Sequence, residues 1–167
     1  MEGTMIFVEG TSRDVFGGIV IRSKVKSPPG RLGYEKMYWP GVEVGLQGWE
    51  RAHSQGNITG TESQYGIRYA PREVNQHFQR LGIERFIQEL YKLKAGDVDL
   101  WLTTVTSTHT GTLRLKEIQY RVDVMRRGQS KALFEASIEV ENKKSYPRIS
   151  VHARERHSAQ EWQRFIA

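Results

Sequence analysis

The residues best suited to chemistry lie in two neighbouring stretches, 49–62 and 69–76. The first places His53 two residues after Arg51 in a glycine-rich segment, and the second carries Asn75 among amides and carboxylates. An imidazole can deprotonate water near neutral pH, an Asn oxygen can bind Mg²⁺, and an arginine can hold a phosphate through paired N–H groups. These residue types together are able to cleave a phosphodiester, with a metal polarising the phosphate.

The order of these residues resembles the ββα-metal pattern of the DNA/RNA non-specific endonucleases. It is carried by Arg51-Ala52-His53, a glycine-containing loop, Ala70-Pro71, and Val74-Asn75-Gln76 at a helix start. The sequence departs from the family at Ala52, where the family has glycine, and it lacks the paired glycines after the histidine. The resemblance implies a general base (His53), a ligand of hydrated Mg²⁺ or a similar divalent ion (Asn75), a phosphate-binding arginine (Arg51) and an acidic residue that supports the metal shell (Glu84).

A wider run, from Arg51 through Pro71 and 74–76 to 138–142, is similar to the C-terminal toxin domains of bacterial polymorphic (Rhs-type) toxins. This resemblance implies a toxin used in interbacterial competition. Such a domain is secreted as part of a larger toxin, acts in the cytoplasm of the target cell and is neutralised by a cognate immunity protein. The expected target is nucleic acid, either DNA or RNA.

A rival interpretation rests on three other elements, which in this order resemble those of ADP-ribosyltransferases: Arg68, the segment Thr106-Ser107-Thr108, and Glu139-Val140-Glu141. The cofactor would then be NAD, and RNA or protein would be modified. The resemblance implies that Arg68 holds the NAD phosphates, that Ser107 or Thr108 braces the nicotinamide pocket, that Glu141 stabilises the oxocarbenium-like ribose and that Glu139 orients the acceptor.

Two further alternatives stay open. Asp123 followed by Glu141-Asn142-Lys143 fits the loose metal-binding pattern of restriction-type nucleases. A protein without catalytic activity could instead bind RNA on a sheet through exposed aromatic and basic side chains. His109 is expected to lie in a surface turn without a chemical role. The residues of the RNA-binding alternative are Trp101, Arg114, Lys116, Tyr120 and Arg121.

Composition narrows the class of protein. The chain of 167 residues contains no cysteine, which excludes disulfides, thiolate zinc sites and a cysteine nucleophile. Lys and Arg number 25 against 19 Asp and Glu, and the resulting charge of +6 favours a polyanionic partner. No apolar run approaches the ~18 residues of a membrane helix, and the acidic start lacks the apolar core of a signal peptide, so we expect neither.

Apolar periodicity predicts the elements that must position these residues. Spacings of three and four over about 72–93 predict a helix, kinked near Gly82. Alternation in 98–106, 114–125 and 134–140 predicts an antiparallel β-meander on which this helix packs. The chain from 49 to 70 is expected to be a long functional loop, and Ser158 opens a capping box for a short C-terminal helix. The predicted class is α+β.

The chain is long enough for a single compact domain. Its first part is rich in glycine and contains one short apolar run, 18–22, between turn signals. We therefore expect residues 1–41 to form an N-terminal wrapping segment and residues 42–167 to form the catalytic toxin domain.

Overall fold

Alternating apolar and polar residues build the long strands, and spaced apolar residues build the helix that covers them. The structure, a computed structural model, describes residues 4–7, 19–27, 46–53, 68–155 and 159–167. Helices and antiparallel strands occur together, which confirms the α+β class. The elements in chain order are β1 (Thr4–Phe7), β2 (Ile19–Lys24), β3 (Trp49–Ala52), β4 (Arg68–Pro71), a π-helix (Val74–Ile83), α1 (Glu84–Leu93), β5 (Asp99–Thr108), β6 (Leu115–Arg126), β7 (Gln129–Val140), β8 (Ile149–Glu155) and α2 (Ala159–Ile166).

The main sheet has the strand order β1-β2-β5-β6-β7-β8, and each pair of neighbours is antiparallel. Strands β5 to β8 follow one another in the chain and in space, which confirms the predicted meander. Along β5, Leu100 and Leu102 are buried whereas Trp101 and Thr103 are partly exposed, as a period of two requires. One face therefore packs on the core, and the other, which we call the open face, carries Thr103 and its cross-strand neighbours.

The turn between β6 and β7 is a tight hairpin. Arg127 and Gly128 both have positive φ, 50° and 77°, as a two-residue type I′ turn demands. The turn sets the register in which Phe134 and Ile138 of β7 face the core.

Helical backbone runs from Arg72 to Leu93, which confirms the predicted helix. Its first half is a π-helix, and the N–H of Glu84 still donates to the carbonyl of Gln79, five residues earlier. The hydrogen-bonding pattern therefore changes to that of an α-helix just after Gly82, where we predicted a kink. Buried residues Val74, Ile83, Ile87 and Leu90 face the sheet.

The core lies between this helix and the main sheet. Ile87 is completely buried among apolar side chains of β5, β6 and β7, such as Leu102, Val122 and Ile138. The short C-terminal helix is also confirmed as α2, and it buries Ile166 against the same core. Ser158 of the predicted capping box lies outside the described residues.

The predicted loop from 49 to 70 is wrong at both of its ends. Strands β3 and β4 pair antiparallel there and form a separate two-stranded ribbon. Each strand has only four residues, and its inward side chains include alanine and arginine instead of an apolar alternation, so periodicity could not reveal it. Residues 54–67 of the predicted loop lie outside the described residues.

Two strands of the main sheet come from the predicted N-terminal segment 1–41. Strand β2 pairs with β5 over its full length and buries Ile21 and Ser23, and β1 pairs with β2. The apolar run predicted at 18–22 is therefore a sheet strand, while the proposed boundary at residue 41 lies outside the described residues. Among the described helices, none is long and apolar enough to cross a membrane.

Candidate active site

The ribbon and the helix form one unit in chain order: β3, β4, the π-helix and then α1. Strand β3 ends at Ala52, so His53 is the first residue beyond the strand. Ala52 is the Cα partner of Arg68 at the start of β4. The four residues of the predicted nuclease site, Arg51, His53, Asn75 and Glu84, all lie on this unit, in which the side chain of Arg51 is exposed and His53 is partly buried.

Gln79 joins the ribbon to the helix and the sheet. Its Nε2 donates to the backbone carbonyl of His53 at 3.0 Å and to the hydroxyl of Tyr120 on β6 at 2.7 Å. The Gln79 side chain is 2% exposed, so both hydrogens of its amide group are used in a protected environment. This contact fixes the backbone at His53 relative to the core. We call His53, Gln79, Tyr120 and Glu84 the Gln79 cluster.

Glu84 lies at the start of α1 and is 5% exposed. Burial raises the pKa of the Tyr120 phenol well above its usual range, the charge of Glu84 raises it further, and the hydrogen bond from Gln79 opposes both. Tyr120 is therefore a neutral, protonated phenol at physiological pH. Glu84 therefore begins α1 and is at the same time buried in the interior next to that phenol.

Asn75 is held by a residue that sequence reasoning overlooked, Glu50 of β3. Its Nδ2 donates to Glu50 Oε2 at 2.7 Å, Gln76 Nε2 donates to the same oxygen at 3.0 Å, and Arg72 Nε lies 3.6 Å from Oε1. Burial alone would raise the pKa of Glu50, but the hydrogen bonds from Asn75 and Gln76 and the charge of Arg72 lower it below its usual value. Glu50 is thus an ionised carboxylate at the entrance of the helix.

The residues of the predicted metal shell, Asn75 and Glu84, lie in different turns of the helix. Asn75 lies in the first turn of the π-helix and Glu84 begins α1, so more than two helical turns separate them. Within the described ranges, no group of three His, Asp or Glu side chains converges as metal ligands do. Since the Asn75 amide donates through Nδ2, its Oδ1 beside the Glu50 carboxylate is the donor set that fits a hydrated Mg²⁺.

The residues of the ADP-ribosyltransferase interpretation are divided between two places. Arg68 belongs to the ribbon and is 2% exposed. Ser107 and Glu139 lie in one cross-strand row, because Glu117 of β6 is the Cα partner of both. Thr108 follows a bulge and is buried. Glu141 comes directly after β7, where its Oε2 accepts a hydrogen bond from the Arg148 N–H at 2.8 Å.

A comparison with protein families matches residues 46–138 to the model of one family, described as bacterial toxin 4. The match covers more than half of the chain. This chain belongs to the bacterial toxin 4 family. It is therefore a bacterial toxin domain, and this supports export from a producing cell, action on a target cell and an immunity protein as partner. Comparisons with curated proteins and with solved structures find no match.

The matched part of this bacterial toxin 4 domain runs from just before β3 to near the end of β7. It contains the whole ribbon, the helix and the Gln79 cluster. Glu139 and Glu141 lie beyond its end, as does β8. The matched range therefore contains the ribbon and the helix, which carry the nuclease-like residues, together with β5, β6 and most of β7.

His109, which we expected to lie in a turn without a role, lines a pocket of about 360 Å³ together with Glu117, Glu139, Glu141 and Lys116. Its Nε2 lies 2.8 Å from the carbonyl oxygen of Val140. A carbonyl only accepts hydrogen bonds, so His109 Nε2 is the donor in this contact. The sequence places a histidine and several glutamates near the ends of predicted strands. Only the strand register shows that these side chains line one pocket.

Strand register separates the residues of two minor interpretations in this toxin domain. Asp123 is far from Glu141, because Glu139 pairs with Glu117, six residues from Asp123 along β6, or about 20 Å. The pair therefore cannot share a metal ion. Trp101 lies on the open face, whereas Tyr120 is buried on the core side. The two aromatic rings therefore lie on opposite faces of the sheet and cannot form one RNA-stacking surface.

Proposed function

We propose that this bacterial toxin domain kills by cleaving nucleic-acid phosphodiesters at the end of the β3–β4 ribbon. The observation that carries this proposal is the contact of Gln79 with both the His53 carbonyl and Tyr120. It holds an imidazole-bearing residue at the junction of ribbon, helix and sheet. An exposed arginine, Arg51, lies two residues before that histidine, which is the residue pairing that phosphodiester hydrolysis uses.

In this mechanism His53 removes a proton from a water molecule as the water oxygen attacks phosphorus. A new P–O bond forms, the bond to the leaving oxygen breaks, and the leaving oxygen takes a proton from solvent. Arg51 binds a phosphate oxygen and offsets its charge. Gln79 and Tyr120 act as positioning residues, because they hold the backbone at His53 without touching the substrate.

Asn75 and Glu50 are the residues that would hold a hydrated Mg²⁺ or a similar divalent ion. The ion would supply polarisation of the phosphate when bound. Glu50 replaces Glu84 in this role, since it lies 2.7 Å from the Asn75 amide and is ionised. Glu84 instead lies buried beside Tyr120 in the core.

The biological setting that we propose follows the toxin family. The domain travels as the C-terminal part of a larger, Rhs-type toxin, enters the cytoplasm of a rival bacterium and degrades its DNA or RNA. The producing cell is protected by its immunity protein. A net charge of +6 suits a domain that acts on a polyanion.

The test is incubation of the purified domain with supercoiled plasmid DNA and, separately, with total RNA. Each reaction is run with Mg²⁺ and with EDTA. We expect fragmentation of at least one nucleic acid, and its loss in EDTA if Asn75 and Glu50 hold the ion. Intact DNA and intact RNA under every condition would overturn the proposed function, and cleavage that persists in EDTA would overturn only the metal site.

One observation favours a second candidate, transfer of ADP-ribose from NAD. Ser107, Glu117 and Glu139 share a cross-strand row, and Glu139 and Glu141 line the same pocket. Labelled NAD⁺ added to the domain with a cell lysate tests this candidate. Transfer of label that is lost in Glu141→Ala and kept in His53→Ala would establish it over phosphodiester cleavage.

A further inference from the structure

The open face of the main sheet contains a groove that is separate from the ribbon and the helix. The groove has a volume of about 500 Å³ and is lined by side chains of Thr103, Gln119, Arg121, Ser137 and His152. Its volume lies in the range of ligand-binding clefts. Tyr120 of the Gln79 cluster contributes to the lining of the groove, but His53, Arg51 and Asn75 of the proposed cleavage site do not.

Strand register aligns three arginines across this face. Arg22 pairs with Thr103, Thr103 with Arg121, Arg121 with Glu135, and Glu135 with Arg154. Neighbouring strands lie about 4.8 Å apart, so Arg22, Arg121 and Arg154 recur at intervals of about 10 Å over about 20 Å. We call these three residues the arginine row. Glu135 is the single carboxylate within it, which leaves the row cationic.

Arg121 is oriented by a buried carboxylate. Its Nε donates to both oxygens of Asp123, at 3.0 and 3.2 Å. The side chain of Asp123 is 10% exposed and that of Arg121 is 54% exposed. The guanidinium is thus anchored through Nε on a half-exposed side chain, and its two terminal nitrogens are the donors that would bind a phosphate in bidentate fashion.

Arg22 is held in a different way. Its guanidinium carbon lies 4.4 Å from the centre of the Trp101 ring, so the cation stacks on the aromatic face and keeps its N–H groups at the rim. Two of the three side chains in the arginine row are therefore held in place: Arg22 by stacking on Trp101, and Arg121 by its hydrogen bonds to Asp123. Both side chains lose less conformational freedom on binding an anion than an unsupported arginine would.

We propose that the arginine row binds the sugar-phosphate backbone of a nucleic-acid strand that crosses the sheet from β2 to β8. Cations repeated over about 20 Å fit a chain of phosphates better than a single anion. The hydroxyls of Thr103 and Ser137 and the ring of His152 lie along the same path and donate to phosphate or sugar oxygens. This binding surface stands whether or not the ribbon site cleaves nucleic acid.

The experiment measures binding of a fluorescein-labelled, 2′-O-methylated RNA of about 20 nucleotides by fluorescence anisotropy in EDTA, where cleavage does not interfere. Arg121→Gln is expected to raise Kd by about tenfold and to reduce the slope of log K against log salt by about 0.7, as expected for each lost phosphate contact on a single strand. The control Arg85→Gln removes the same charge from the exposed Arg85–Glu89 pair on α1 and should leave both quantities near wild type.

Two variants distinguish binding by an oriented Arg121 guanidinium from binding that depends only on the overall charge of the domain. Arg121→Lys keeps the charge but loses the planar donor edge, and Asp123→Asn removes an acidic charge but weakens the anchor of Arg121. Because asparagine keeps one oxygen that can accept from Arg121 Nε, Asp123→Ala is made beside it to remove the anchor completely. Arg121→Lys and Asp123→Ala should each weaken binding at least threefold, whereas overall charge predicts no change for the first and tighter binding for the second. Circular dichroism checks that each variant is folded.

Three results would overturn the proposal: no binding by the wild-type domain, equal loss in Arg85→Gln and Arg121→Gln, or unchanged binding in Arg121→Lys. A competition arm uses AMP. Displacement of the RNA by AMP at an equal concentration of phosphate groups would also overturn it, because it would indicate a site for a lone phosphate. Cleavage activity enters none of these measurements, so a failure of the ribbon site is seen separately.

Discussion

Gln79 is the residue on which the geometry of the candidate site depends most. One nitrogen atom supplies both hydrogens, one to the ribbon and one to the sheet, from a side chain on the helix. The acceptors are the His53 carbonyl and the Tyr120 hydroxyl. Removing the amide leaves two acceptors without their donor in an environment where water does not replace it. The position of His53 therefore depends on a residue that does not take part in chemistry.

Gln79→Met tests this role, because methionine has similar length and no donor. We expect the free energy of unfolding to fall by about 2 kcal/mol or more, since each buried acceptor left unpaired costs about 1–3 kcal/mol. Urea denaturation followed by circular dichroism measures the change. Gln163→Met on the exposed side of α2 is the control and should stay within about 0.5 kcal/mol of wild type. Equal effects of the two substitutions would show that the Gln79 contacts are not needed.

The Glu50 carboxylate makes the free energy of unfolding depend on pH, and the direction of that dependence follows from its pKa. Its folded pKa lies below the value of 4.5 expected for the unfolded chain, because Asn75, Gln76 and Arg72 outweigh the effect of burial. The carboxylate therefore adds stability above pH 4.5, and this contribution is lost as the pH falls through the folded pKa.

The measurement is the thermal midpoint of wild type and Glu50→Gln between pH 7 and pH 3. We expect wild type to be more stable at pH 7 and the difference to shrink on acidification. Glu89→Gln removes a carboxylate from an exposed pair with Arg85 and serves as the control, with little change expected at any pH. A difference between wild type and Glu50→Gln that stays constant with pH would contradict the assignment.

Among the elements, the long strands and the helix could be predicted, and the ribbon could not. Burial alternates along all ten residues of β5, over 118–122 in β6 and over 134–140 in β7, and a period of two over such lengths is a strong signal. Strands β3 and β4 have four residues each. An alternating pattern repeats too few times over that length to be recognised in the sequence. The π-helix also escaped prediction, because spacings of three and four do not distinguish it from an α-helix.

The same limit applies to the site. His53 and Asn75 could be chosen from residue type and spacing, since both lie in a short stretch of chain. Glu50 could not be recognised as the partner of Asn75 without the pairing of β3 with β4. His109 was dismissed because the glutamates near it come from β6 and β7, and only strand register brings these residues into one pocket.

The β6–β7 hairpin provides a test at the scale of the element. Gly128 has φ of 77°, and a side chain there is strained although nothing lies within 4 Å of an added Cβ. We expect Gly128→Ala to lower the free energy of unfolding by about 1 kcal/mol or more. Gly96→Ala is the matched control, because Gly96 also has open space but its φ is not positive. A loss in Gly128→Ala no larger than that in Gly96→Ala would contradict the turn assignment.

At the scale of the whole molecule, the toxin domain extends beyond the part that the family match covers. Strand β2 precedes residue 46 and yet pairs with β5 in the centre of the sheet. Ile21 of β2 is completely buried. The fold therefore depends on residues outside the matched range, and the open face with its arginine row includes Arg22 from the same strand.

Ile21→Ala measures how much β2 contributes. We expect a loss of about 2–4 kcal/mol in the free energy of unfolding, because truncation of the isoleucine side chain removes buried apolar surface and leaves a cavity. Val151→Ala on the exposed side of β8 is the control and should cost less than about 0.5 kcal/mol. Urea denaturation gives both values. A loss in Ile21→Ala as small as that in the control would mean that β2 is dispensable.

The most direct measurement of the central claim compares the cleavage rates of wild type, His53→Ala and His77→Ala on labelled RNA and DNA. His77 is exposed on the π-helix and is the matched control for loss of an imidazole. We predict that His53→Ala lowers the rate by about 100-fold or more, as loss of a general base does, while His77→Ala cleaves at the wild-type rate. Full activity of a folded His53→Ala variant would contradict the proposed mechanism.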